Sequence, residues 1–153
     1  MTGSHRKACE SIAAASDPWK TLNEGITFQP FIDLKQAYVC VAGGHAVGFI
    51  IFTPEPVFAR GGYLRAIGVL PSMQRQGIGE KLLLFAEELA ARRAQFFYLC
   101  VSDFNPKARA FYKKQGYAKA GKLDDLIIPG SSEYIYWKRL KPLSRKTRRA
   151  HGD

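Results

Sequence analysis

The chain has 153 residues, 46% apolar and 12% aromatic, which excludes a disordered protein and suits one folded domain with a real core. Its formal net charge of +10 is unevenly placed, because Lys138, Arg139, Lys141, Arg145, Lys146, Arg148 and Arg149 crowd the end with no acid among them. Cys9, Cys40 and Cys100 are odd in number and form no C-x-x-C pair, so no disulfide framework and no metal site is expected, and a reducing cytoplasm is the natural home.

Along the chain, the N-terminus lacks the unbroken apolar core of a signal peptide, and no apolar run reaches membrane-span length. "CESIAAAS" reads as a short amphipathic helix. "SDPWKTLNEGITFQPFIDLKQ" sets Trp19, Phe28 and Phe31 close to prolines, with Asp17 before Pro18 as a helix cap. "QAYVCVA" and "AVGFIIFT" flank Gly43, Gly44 and His45 and predict a β-hairpin. "TPEPVFARGG" reads as a loop and "YLRAIGVL" as a strand ended by Pro71.

"QRQGIG" follows, and then a helix over 77–94 with Ile78, Leu82, Phe85, Ala86 and Leu89 as its apolar face. "FFYLCV" is apolar on both faces and predicts an interior strand. "NPKARAFYKKQGY" has Pro106 placed to start a helix and Gly116 to stop it. "EYIYWKRL" alternates as a last strand. No repeat or linker divides the chain, so residues 1–140 read as one domain and 141–153 as a basic tail. A frayed, solvated tail is the simpler reading, and contact with nucleic acid or a membrane is not expected. The class is α/β or α+β, with a partly antiparallel sheet.

In "QRQGIGEKL", glycines at 77 and 79 remove side chains where a loop enters a helix, so backbone N–H groups can approach an anion. Arg75 adds a cation. The common nucleotide motifs fit badly: a dinucleotide fingerprint needs a third glycine where Leu82 stands, and a P-loop needs Gly-Lys-Ser/Thr. By itself the loop remains either a pyrophosphate cradle or a plain turn.

Its surroundings carry more. "YLRAIGVLPSMQRQGIGEKLL" resembles the signature of the GNAT superfamily of acetyl-CoA-dependent N-acetyltransferases, with Gln74, Gly77 and Gly79 on the signature positions. "LCVSDFNPKARAFYKKQGY" resembles the second signature through Asn105, Ala108, Phe111, Tyr112, Gly116 and Tyr117. Two independent motifs in the expected order are specific, and the resemblance spans roughly residues 36 to 140. It implies a mixed, mostly antiparallel sheet flanked by helices, with acetyl-CoA as co-substrate. It further implies that Ile67, Gly68 and Val69 pair with the pantetheine arm, and that Gln74, Arg75, Gln76, Gly77, Ile78 and Gly79 take the pyrophosphate. Asn105 would offer its amide to pantetheine, although asparagine before Pro106 also suits a helix cap. Tyr112 would be the general acid toward the departing thiolate; the residues alone favour an aromatic on the helix's inner face, like Phe111.

The pattern thins at the general base. Many relatives place a glutamate on the strand matching "YLRAIGV", where the only charge here is Arg65. Glu24, His45, Glu55, Asp103 and Glu133 remain open, each also readable as a surface or turn residue, as does a water relayed by backbone carbonyls. The resemblance sets the segment with Trp19, Phe28 and Phe31 beside the acceptor pocket, where these aromatics either line the pocket or seal the core. "DDLIIPGSSEYIYWKRL" looks like a terminal hairpin whose loop at 129–132 shapes the acceptor entrance or joins two protomers, so a homodimer stays open. Cys100 reads as a buried structural thiol. The implied activity is acetyl transfer to a primary amine of a small molecule or protein, by direct attack in a ternary complex. A non-catalytic acyl-CoA sensor of the same fold is the alternative.

Overall fold

The structure, a computed structural model, describes residues 1–142; residues 143–153, which hold most of the expected basic tail, lie outside the described residues. Helix α1 (Gly3–Ala14) opens the chain, and two short helices follow, α2 (Trp19–Leu22) and α3 (Gln29–Asp33). Strands β1 (Ala37–Ala42), β2 (His45–Phe58) and β3 (Gly61–Val69) lead to α4 (Ile78–Ala90), β4 (Phe96–Ser102), α5 (Pro106–Lys114), β5 (Ala118–Asp124) and β6 (Ser132–Arg139). The six strands form one sheet in the order β1-β2-β3-β4-β6-β5. Only β3 and β4 run parallel, so the sheet is mixed and mostly antiparallel, as expected.

The expected hairpin turns at Gly43 and Gly44, whose φ of 54° and 81° lie in the left-handed region that a two-residue turn requires. "TPEPVFARGG" is not the loop expected. β2 runs through it to Phe58, and a second tight turn at Ala59 and Arg60 leads to Gly61 opposite Phe58. Pro54 and Pro56 fit because the ladder is interrupted between Thr53 and Phe58, where no N–H is required. β5 also differs from expectation: the hairpin's first strand precedes Asp125, and Leu126, Ile127 and Ile128 stand exposed in the connecting loop. An edge strand with lysines needs little apolar content and discourages further pairing.

Each sheet face carries its own core. Helices α4 and α5 cover one, built from Ile50, Phe52, Leu64, Leu82, Leu83, Phe97, Leu99, Tyr112 and Tyr136. α1 and the segment after it cover β1 to β3 on the other, through Cys9, Ile12, Phe28, Phe49, Ile51 and Ala66. The buried stripe of α4 is Leu82, Leu83, Ala86, Glu87 and Ala90, so Phe85 is not the core residue expected. It is 39% exposed and rests its ring edge on Tyr38 and Phe52. No described helix is long and apolar enough to cross a membrane.

Two irregularities in β3 position the site. Opposite β2, Ile51 faces Ala66 and Phe52 faces Leu64, so Arg65 is an extra, bulged residue. Opposite β4, pairing runs only from Gly61 with Phe96 to Leu64 with Leu99. Beyond that point the two parallel strands part, and residues 65–69 of β3 have no β4 partners.

Candidate functional site

Gln74, Arg75, Gln76, Gly77, Ile78 and Gly79 lie together between the end of β3 and the start of α4, at the mouth of this fork. The Gln74 amide donates to the Val69 carbonyl at 3.3 Å and ties the loop to the strand. Gly77 is the N-cap of α4 with φ 79°, and no side chain caps the helix. The opening N–H groups of α4 therefore retain their donors, and the helix dipole adds positive potential there. A Cβ at Gly77 would meet nothing within 4 Å, and one at Gly79 would come no closer than 3.6 Å to the Phe111 ring. The cradle is open. Arg75, at φ 63°, is exposed beside it.

Ile67, Gly68 and Val69 pair with Ile50, Phe49 and Gly48 on one side only. Their other edge faces the fork, with main-chain donors and acceptors that no described strand takes up. Gly68 lies tightly over Phe49, since a Cβ there would sit 2.5 Å from the ring. Asn105 caps α5: its side-chain oxygen accepts from Ala108 N at 3.2 Å, which leaves its amide N–H groups available. Tyr112 is buried on the inner face of α5, between Phe111 and Tyr117 in edge contacts. Its hydroxyl makes no hydrogen bond among the described residues. Burial, and to a lesser degree Tyr63, pushes its pKa well above the usual tyrosine value, so it holds its proton at physiological pH.

The open base candidates separate by environment. Glu55 is half exposed and pairs with Arg93 at 3.5 Å. Asp103 accepts from the Ser131 hydroxyl and Ser132 N–H, and these bonds hold its carboxyl below the usual range, which makes it a weak base. His45 and Glu24 are exposed, the first at the β1/β2 turn and the second after α2. Glu133 is different. It is 5% exposed on β6, opposite Ser102 of β4, and burial raises its pKa. Glu87, the other buried acid, is already satisfied by Lys138 at 2.8 Å and the Tyr117 hydroxyl at 2.9 Å.

Beside the fork, on the α1 side of the sheet, a cavity of about 430 Å³ is lined by Trp19, Ile26, Pro30, Phe31, Ile51 and Arg65 among others. The three aromatics thus divide: Trp19 and Phe31 line the cavity, while Phe28 is fully buried in the core beneath. Tyr63 and Cys100 interact with each other near the same fork, and burial raises both pKa values, so Cys100 is a protonated thiol and only partly buried.

Sequence reasoning missed Tyr63, Ser102 and the lining role of Arg65. Their placement depends on the bulge and on cross-strand register, which "YLRAIGV" carries no local sign of. The charge of Arg65 within an apolar strand was the one available signal.

A family model described as the acetyltransferase (GNAT) family matches residues 7–117. Among solved structures, Ard1 from Thermoplasma volcanium is 22% identical, with 92% of this chain and 95% of that one covered at a TM-score of 0.77. The ribosomal-protein-S18-alanine N-acetyltransferase of Escherichia coli is 18% identical over 95% and 94%, with a TM-score of 0.73. An aminoglycoside 6'-N-acetyltransferase complexed with coenzyme A is 19% identical over 94% of each chain, with a TM-score of 0.72. At these identities the likeness is one of fold.

Proposed function

Because the chain belongs to the acetyltransferase (GNAT) family, we propose that it transfers the acetyl group of acetyl-CoA to a primary amine by direct attack in a ternary complex. The observation that carries this reading is the fork: a β3 edge without β4 partners, opening at an uncapped, glycine-lined helix start. That combination fits a ligand with a strand-like amide arm and a polyanionic end. Ile67, Gly68 and Val69 offer main-chain groups to the pantetheine amides, much as an added strand would pair. The amides of residues 74–79 and the Arg75 guanidinium receive the pyrophosphate. The spare amide of Asn105 donates to the pantetheine arm. A relative of this fold was solved with coenzyme A bound, which supports the same ligand here.

Acetyl-CoA supplies an activated acyl carbon and a thiolate leaving group. This chain's residues manage protons. Glu133, with a raised proton affinity, takes a proton from the acceptor ammonium and leaves a lone pair to attack. The C–N bond forms as the C–S bond breaks, Tyr112 donates its phenolic proton toward the departing sulfur, and the surplus proton of the newly acylated nitrogen returns the phenolate to phenol. Burial keeps that phenol protonated until it is needed.

Free-thiol release measured over a panel of small amines and peptides tests this function. Thiol should appear only when acetyl-CoA and an acceptor are both present. Binding of acetyl-CoA with no thiol release across the panel would favour a sensor instead.

A further inference from the structure

The cavity beside the fork contains one charge among its described lining residues, Arg65. The β3 bulge turns Arg65 toward the same side as Ala66, and both line the cavity. Its guanidinium lies over the Phe31 ring, 5.3 Å from the centroid, and forms no ion pair with a described residue. Trp19, Ile26, Pro30, Phe31 and Ile51 bring apolar side chains to the wall, and Gly25 and Thr27 line it as well. Glu133, opposite Ser102 on the far side of β4, carries the opposite sign but is not among the lining residues.

This arrangement disfavours an acceptor that brings only positive charge into the cavity. Such an amine would place its cations beside Arg65, whose charge no described ion pair offsets. An acceptor bearing its own carboxylate gains a charge-assisted, bidentate contact instead. We infer that the acceptor is a small amino acid with an apolar side chain. Its carboxylate lies on Arg65, its side chain against Trp19 and Phe31, and its amine toward the fork. This rests on the acetyl-transfer reading and specifies its acceptor.

The test uses matched pairs: phenylalanine, leucine and methionine, each against its carboxamide, with acetyl-CoA and thiol detection. The amide amines are less basic, so more of each is unprotonated at neutral pH, which works against the expected result. The wild-type protein should prefer the acid by about tenfold or more in kcat/KM, the loss expected for one charge-assisted hydrogen-bonded contact. Arg65→Gln should erase that preference, through loss of kcat/KM on the acids. Arg65→Lys should keep part of it. Equal or better use of the amides by the wild type, or an unchanged ratio in Arg65→Gln, overturns the inference.

Fluorescence gives an arm independent of turnover. Phenylalanine titrated into protein saturated with coenzyme A should give a saturable change that is lost in Trp19→Phe and weakened in Arg65→Gln. Saturable binding without thiol release leaves the Arg65 site standing and sinks the acetyl-transfer reading. Thiol release with no preference for acids does the reverse. Absence of binding by any of the three amino acids also overturns the inference.

Discussion

Leu64 opposite Leu99 is the last pair of the parallel β3/β4 ladder, and the fork proposed to take up the co-substrate begins one residue later. Both leucines are buried in the core under α4 and α5, so the closed end of the fork is anchored by packing. The open end is anchored by Gln74 holding the Val69 carbonyl. Between these two points the backbone of β3 is positioned on one side only, which leaves the other for a ligand.

Tyr112→Phe removes a hydroxyl that has no protein partner among the described residues. The ring and its contacts with Phe111 and Tyr117 remain. Turnover should fall about 100-fold, the usual contribution of a general acid, with acetyl-CoA affinity within a few fold of wild type. Stopped-flow turnover and calorimetry on the same preparation check this. An equal loss in both would assign Tyr112 to binding instead.

Glu133 sets a pH dependence whose sign follows from burial. Its carboxyl titrates above the ordinary 4.5, and it accepts a proton only when ionised. The acid limb of kcat/KM should therefore fall below an apparent pKa higher than 4.5, and Glu133→Gln should flatten that limb and lower the plateau. Stability runs the other way. A raised folded pKa means the protonated form is favoured by folding, so this contribution is whole below pH 4.5 and is lost as pH rises through the folded value. At pH 7 Glu133→Gln should melt higher than wild type while being slower. A thermal melt beside a pH–rate profile reads both.

Gly77→Val forces a β-branched residue to φ 79°, at a cost of about 1–2 kcal/mol. If the loop relaxes to escape that strain, its amides leave the cradle. The Kd for acetyl-CoA should rise about tenfold, with little change in KM for the amine.

Lys138→Met tests the polar tie between α4 and β6. Lys138 donates to both Glu87 oxygens at 3.0 and 2.8 Å, and Tyr117 donates to one of them at 2.9 Å. The pair is mostly buried, at 25% and 11% side-chain exposure, so stranding the carboxylate should cost about 2–3 kcal/mol in urea unfolding. Acetyl-CoA binding by the folded fraction should persist.

Much of this was legible in local signals. Gly43-Gly44 between β-branched runs gave the first hairpin, and Pro106 with Gly116 bracketed α5. The open, uncapped start of α4 was readable because its glycines act through the backbone itself. What escaped reading depends on partners distant in sequence. The strand character of residues 54–58 comes from the turn back to Gly61, and β5 exists because β6 pairs with it. Phe85 fits the apolar period yet sits at the rim, since α4 presses Leu83 and Ala90 to the sheet. Glu133 read as one open candidate among several carboxylates, because only the β4/β6 register buries it opposite Ser102.

Calorimetric titration of the protein with acetyl-CoA tests the central claim most directly. A fork that pairs with pantetheine and a cradle that takes pyrophosphate should give one site per chain with a Kd of about 1–100 μM, in the range enzymes commonly show for substrates. Gly77→Val should weaken it about tenfold. No heat of binding at millimolar acetyl-CoA, or affinity indifferent to Gly77→Val, would contradict the account.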